Sequence, residues 1–467
     1  MNISLGVIFG NREFFPDYLV SEARKEITKL FKEFDITPIM IGPDEATIGS
    51  LVTYEDAKLC AELFKKHSEE IEGILVVLPN FGDEKAVAET IKLSRLNVPI
   101  LVQAYPDDLE KFGVETRRDG FCGKISVCNN LRQYGYPFSL TSSHTIRPTS
   151  NEFKNDLQKF IRVCQVVKGL RSVRLGAIGA RPTAFNTVRY SEKILQASGI
   201  SVTTIDLSEI IGDTARLSDE APSVKAKLEE ISAYAKHDTV PSSSMLRMAK
   251  LGVTISDWMQ ANDIQATALQ CWSSMQKNYG VNACTLMSMM SNQLMPSACE
   301  TDVTGVVSMY ALQLASKFPS ALVDWNNNYA DDPDRCVFFH CGNWAKSFVP
   351  DIEIKTAPIL GTTLGEENTF GAMAGRAAAG PMTFARVSTD DVNGIIRAYT
   401  GEGELTNDPL NTFGHRAVAH TPNLQKLLAF ICKNGFEHHV AMTMGNVAGA
   451  LDEAFTNYLG WENYYHS

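Results

Sequence analysis

The first 140 residues impose the strongest constraint on the fold, because short apolar runs alternate there with longer charged segments of helical period. Strand candidates at Ile3–Phe9, Thr37–Ile41, Gly73–Leu78 and Val98–Val102 are separated by Tyr18–Glu33, Tyr54–Glu70 and Asp83–Leu96. A crossover between parallel strands needs a long connection, usually a helix lying on the sheet face, so this rhythm predicts a parallel α/β structure. The polar, turn-rich run Thr141–Ser150 predicts a connection. A helix from about Glu152 to Gly169 then leads into a second α/β rhythm, with strands at Val173–Ile178, Ser201–Ile205, Ala266–Cys271, Met295–Cys299, Ser320–Val323 and Val337–Phe339. Beyond about 345, glycine becomes frequent (Gly361, Gly365, Gly371, Gly375, Gly380) and strand-like alternation appears in Pro381–Val387 and Gly394–Ala398. The expected architecture is two Rossmann-like α/β domains, 1–170 and 171–345, followed by a β-rich C-terminal domain with helices, 346–467.

Charge narrows the partners. With 43 basic and 54 acidic residues the formal net charge is −11, which provides no global field for nucleic acid or an anionic membrane surface. No apolar stretch approaches the ~18–20 residues a membrane helix requires. The ten cysteines are scattered without a C-x-x-C pair, the pattern of reduced thiols rather than a disulfide framework or a zinc ribbon. The N-terminal run lacks the basic segment and small-residue cleavage site of a secretory signal. A soluble, cytoplasmic protein is expected.

Several catalytic signatures are missing. No G-x-x-x-x-G-K-[ST] loop occurs, and Gly176–Gly179 is only a fragment of a dinucleotide fingerprint. Neither G-x-S-x-G nor H-E-x-x-H appears. What remains is a set of polar residues closing apolar runs, where parallel sheets present functional groups. Met295–Glu300 and Ser320–Asp324 end in carboxylates, Val337–His340 ends in an imidazole, and His438–His439 borders the apolar Val440–Met442. Two carboxylates with one or two imidazoles suit Mn²⁺ or Mg²⁺, with Zn²⁺ or Co²⁺ as competitors. The same residues serve equally as N-caps, turn residues or buried hydrogen-bonding partners.

Three runs carry a family likeness: Cys299–Gly305, Asp324–Asn327 and Phe339–Asn343. Together they resemble the L-fucose isomerase-like branch of the L-fucose/L-arabinose isomerase superfamily. Pro79–Glu84, Arg118–Lys124, Gln270–Trp272 and Gly435–Val440 extend the resemblance over most of the chain. It implies two α/β domains with a β-rich C-terminal domain, and aldose–ketose interconversion with a divalent metal, commonly Mn²⁺. Carried over, Glu300, Asp324 and His439 become the metal ligands, with His439 preferred over His438 because it precedes the Val-Ala stretch. His340 is then a fourth ligand or a substrate contact. Glu300 and Asp324 also take paired acid/base roles around a cis-enediolate, since isomerisation moves a proton between C1 and C2.

Recognition candidates are less sharply defined. Trp272 suits an apolar floor for the sugar or a core position, while Asn326, Asn327 and Asn343 suit hydroxyl contacts or turns. Arg181 and Arg376 suit an anionic substituent or a surface ion pair. The resemblance leaves the substrate as a deoxy-sugar, a pentose or a C6-anionic sugar such as sulfoquinovose. It implies a homo-oligomer, trimer or hexamer, in which the first-domain loops reach a neighbouring site. A non-catalytic sugar-binding or regulatory protein on the same scaffold is the alternative reading.

Overall fold

The computed structural model describes residues 3–467. Its strands, in chain order, fall into three sheets. The first contains β1 (Ile3–Phe9), β2 (Ile36–Ile39), β3 (Ile71–Leu78), β4 (Ile100–Ala104) and β5 (Ser139–Leu140), ordered β2-β1-β3-β4-β5 and parallel throughout. Helices cover both faces, as the continuous apolar strands require. Val20 and Ile27 of Tyr18–Phe34 and Phe153 and Phe160 of Asn151–Leu170 pack on Leu5, Val7 and Leu75. On the other face Phe64, Val87 and Val127 meet Ile8, Ile74 and Val76.

The second sheet is also parallel: β6 (Arg174–Ile178), β7 (Ser201–Ile205), β8 (Ala266–Leu269) and β9 (Ser297–Ala298), ordered β7-β6-β8-β9. The chain runs from β6 to β7 on one side and returns to β8 on the other. This is a topological switch point, where open α/β sheets form their ligand crevice.

The third sheet is mixed. Its strands are β10 (Ser320–Asn328), β11 (Arg335–His340), β12 (Glu353–Lys355), β13 (Ala372–Arg376), β14 (Gly380–Asp390), β15 (Ile395–Thr406), β16 (His415–His420), β17 (His439–Met444) and β18 (Glu462–His466). β15 also pairs with β16, so β16, β11, β10, β17, β14 and β15 close into an antiparallel ring. Closure leaves no open edge on those six strands. The expected α/β class with a β-rich C-terminal region is therefore present, with one correction. The runs at 320–323 and 337–339, expected in the central parallel sheet, belong to the ring. Their partners are antiparallel and distant in sequence, which local periodicity does not encode.

The chain divides into two compact units. One holds the chain up to Lys168 together with Glu453–Gly460, and the other holds Gly169–Asp452 with Trp461–Ser467. The second unit thus contains both the parallel β6–β9 sheet and the ring. Between those two sheets lies helix Val303–Ser316, packed on β8 and β9 on one side and on β10, β14 and β17 on the other. Its sequence is apolar nearly all round, as expected for a helix buried between layers.

Candidate active site

Each side chain of the site is delivered by identifiable local structure. β8 ends at Leu269, and Trp272 follows just past its carboxyl end. Glu300 follows β9 in the same way, in a short 3₁₀ turn where Glu300 and Thr301 both adopt left-handed backbone, φ 55° and 54°. Left-handed conformations in residues other than glycine cost of order 1–3 kcal/mol each and concentrate at functional sites. The turn brings Glu300 inward, 4% exposed, and lets Asp302 start the next helix, with Oδ1 accepting the Gly305 N–H at 2.8 Å.

The ring supplies the rest by register. Trp325 packs edge-on against Phe338 and Phe384, and strand alternation turns Asp324 to the opposite face. Asp324 pairs directly with His439 across β10 and β17, so the two side chains share one face. His439 is 1% exposed, whereas the His438 side chain is 42% exposed.

His439 is oriented from behind. Its Nδ1 lies 2.8 Å from Asp302 Oδ2, a hydrogen bond that leaves Nε2 as the free ring nitrogen. Asp302 is gripped by Arg386 through contacts of 2.6 and 3.0 Å, and Arg386 also binds Glu437 at 3.0 and 3.1 Å. Arg386 is completely buried, so its two carboxylates are what make an interior guanidinium tolerable. Burial opposes ionisation of Asp302, but Arg386 and His439 outweigh it and hold the carboxyl well below the usual carboxylate range. A carboxylate–histidine pair of this kind fixes the ring orientation of a metal-binding imidazole.

On its open side, His439 Nε2 lies 3.8 Å from Glu300 Oε2 and 3.4 Å from Asp324 Oδ1. Both oxygens are buried and have no hydrogen-bond partner. Glu300 Oε1, by contrast, accepts the Trp272 indole N–H at 2.8 Å. Burial would raise Glu300, yet the adjacent His340 and His439 and the indole lower it to about 2. Two buried carboxylate oxygens without a hydrogen bond, beside a free imidazole nitrogen, are donors suited to a divalent cation. Ligand atoms lying within 4.8 Å of one another form two such groups, Glu300–His340–His439 and Asp324–His438–His439, with His439 in both. A third group, Cys271–Cys299–Glu300, includes thiols. Burial pushes the Cys299 thiol well above its ordinary value.

His340 lies 3.5 Å from Glu300 through Nε2, while its Nδ1 accepts the Cys341 N–H at 2.9 Å. Burial alone would lower His340, but the neighbouring carboxylates push it up to about 9. With Nδ1 accepting from Cys341, the neutral ring carries its proton on Nε2, facing Glu300.

The two carboxylates border a cavity of about 790 Å³, lined by Trp272, Glu300, Asp324 and Asn326, with Phe185 and Phe339 among its apolar walls, while His340 and His439 stand behind its lining. That volume suits a small organic ligand. Asn343 does not line it: the side chain is fully buried and donates from Nδ2 to Ser297 O at 3.1 Å. Arg376 is also turned away, donating to Thr406 O at 3.0 Å. Arg181 borders a separate, smaller crevice. Asp302, Arg386 and Glu437 were not singled out as candidates from sequence. An arginine inside the apolar run Met382–Val387 was the available signal, since a buried charge demands partners.

The family model described as the fucose/sulfoquinovose isomerase N-terminal domain matches residues 6–171. That described as the L-fucose isomerase C-terminal domain matches residues 338–466. Among similar proteins, the sulfoquinovose isomerase of Priestia aryabhattai is 22% identical over 388 residues, 82% of this chain and 83% of the relative. That of Alkalicoccus urumqiensis is 22% identical over 381 residues, 80% and 81% of the two chains. That of Clostridium sp. (strain MSTE9) is 23% identical over 386 residues, 81% and 83%.

Proposed function

This chain belongs to the L-fucose isomerase-like family and is an aldose–ketose sugar isomerase, and on that premise we propose that it is metal-dependent and works through a cis-enediolate. The observation that carries the proposal is the pair of unpartnered buried oxygens, Glu300 Oε2 and Asp324 Oδ1, on either side of His439 Nε2. Glu300, Asp324 and His439 would hold the ion, with Mn²⁺ as the first candidate and Mg²⁺, Co²⁺ or Zn²⁺ as competitors. A bound divalent ion supplies Lewis-acid polarisation of the sugar carbonyl.

The protein's own groups do the remaining work. Trp272 ties up Glu300 Oε1, which leaves Oε2 turned to the site, and Glu300 supplies one carboxylate of the acid/base pair. Asp324 provides the second carboxylate of the acid/base pair, and each is within reach of the other's partner, His439. The Nε2 proton of His340 serves as a donor to a sugar oxygen, which favours substrate contact over ligation by that nitrogen. Phe185 stands edge-on to Trp272 with ring centroids 5.5 Å apart, an aromatic wall that limits water at the reacting carbons. Trp272 and Asn326 border the sugar's space.

The names of the similar proteins favour a C6-anionic aldose such as sulfoquinovose over a neutral deoxy-sugar or pentose. A soluble homo-oligomer in the cytoplasm is the accompanying expectation, and no described helix is long and apolar enough to cross a membrane. The test is a panel of neutral and C6-anionic aldoses assayed for ketose formation after chelation and again after adding Mn²⁺. Undiminished turnover in the chelated protein would refute metal dependence, and a neutral sugar preferred throughout would refute the anionic substrate.

A further inference from the structure

A second crevice, of about 230 Å³, opens at the carboxyl ends of β6 and β7, with Gly179 and Ala180 in its floor and Arg181, Arg189, Tyr190 and Thr301 around it. Its chemistry is opposite to that of the main cavity. Two guanidinium groups border it and no acidic side chain does. Neither arginine has an ion pair with a carboxylate among the described residues. Arg189 donates from Nε only to the Asn186 carbonyl at 2.9 Å, and Arg181 reaches only the Thr183 carbonyl at 3.5 Å. Most of their donors therefore remain available. Planar guanidinium forks match the oxygens of tetrahedral anions, and a strand-to-loop turn beside a switch point is where α/β sheets receive them.

We propose that this crevice is an oxyanion-binding site, taking a sulfonate, sulfate or phosphate group between Arg181 and Arg189. Tyr190 and Thr301 also line it, and the Thr301 hydroxyl is buried without a hydrogen-bond partner. The site is coupled to the main cavity by chain connectivity. Thr301 faces the crevice while its neighbour Glu300 faces the cavity. Arg181 and Arg189 also flank Phe185, whose ring lies 5.5 Å from those of Trp272 and His438 and 5.8 Å from that of His439. An anion bridging the two arginines fixes both ends of the segment that holds Phe185 against the histidines.

The anion has two possible sources, the acidic substituent of a sugar or a free inorganic ion, and the experiment separates them. Sulfate and inorganic phosphate are titrated into the full-length protein by calorimetry, with chloride holding ionic strength constant. Saturable binding is expected in the unmodified protein, weakened about tenfold or more in R181M/R189M. It should be partly retained in R181K/R189K and unchanged in R216M, which removes an arginine paired with Asp213 of its own helix, Leu207–Arg216. Absence of saturable binding in the unmodified protein, or equal binding in the folded double variant, overturns the site. If the sugar supplies the anion, sulfate competes with an anionic aldose and the double variant raises KM for that aldose but not for its neutral counterpart. If a free ion is the ligand, sulfate alters turnover of both sugars without competing. The binding measurement needs no turnover, so failure of the isomerase reading and failure of this one remain distinguishable.

Discussion

In the parallel β6–β9 sheet, Trp272 and Glu300 emerge just past strand ends, whereas in the ring Asp324, His340 and His439 sit on the strands themselves. The first route depends on loop geometry, and Glu300 reaches the site only through consecutive left-handed residues. The second depends on register, because Asp324 opposite His439 follows from the β10–β17 pairing and a one-residue slip would turn both side chains away. Two routes with different weaknesses meet in one cluster. The tie between them is Arg386 of β14, which grips Asp302 at the end of the Glu300 turn.

The largest expected effects remove one route outright. E300Q and D324N should each cut turnover by about 10³-fold or more while leaving the fold intact, since each deletes both a carboxylate base and a candidate ligand. Steady-state kinetics with circular dichroism as the fold control checks this, and near-normal turnover in either variant would break the assignment. Cutting the tie should instead cost stability. R386M leaves Asp302 and Glu437 as buried carboxylates without their cation, at about 3–5 kcal/mol, readable as a lowered urea midpoint.

A subtler break weakens the tie at its carboxylate and frees the imidazole. D302N should weaken Mn²⁺ binding by about 10–100-fold, because His439 loses the anion that fixes its ring. G305A should act in the same direction, since a methyl there would lie 2.5 Å from Asp302 Oδ2. Calorimetric Mn²⁺ titration measures both, and unchanged affinity in D302N would remove Asp302 from the site.

The smallest effect concerns the ring's own interior. His415 is fully buried, and burial, with the charges of His340 and Arg416, pushes it down to about 3. An unfolded imidazole titrates near ~6.5, so below that pH the unfolded state takes up the extra proton and stability falls as pH drops towards 3. About 2 kcal/mol should be lost between pH 7 and pH 5 from this group. Urea midpoints across that range check it, and H415Q should flatten the slope.

The residues at the centre were legible because each adjoins an apolar run. Burying such a run on a sheet delivers the next polar side chain to its end, and this rule found Glu300, Asp324 and His340, while the His438–His439 pair stood out by bordering the apolar run that follows it. The rule was silent on Asp302, which sits one residue beyond Thr301 and looks like any helix cap. It also missed Arg386, whose two partners lie 84 and 51 residues away. Asn343 and Arg376 were plausible by residue type, but the backbone directs them to Ser297 and Thr406.

By itself, the sequence determined the α/β class, the parallel first sheet, the acidic surface and the residue types of the site, because periodicity and residue chemistry are local. Only the tertiary structure decided that β10 and β11 join the ring, that His439 rather than His438 is buried beside Asp324, and that two unpaired arginines share one crevice. Those outcomes depend on antiparallel register and on contacts between residues far apart in the chain, which no local pattern records.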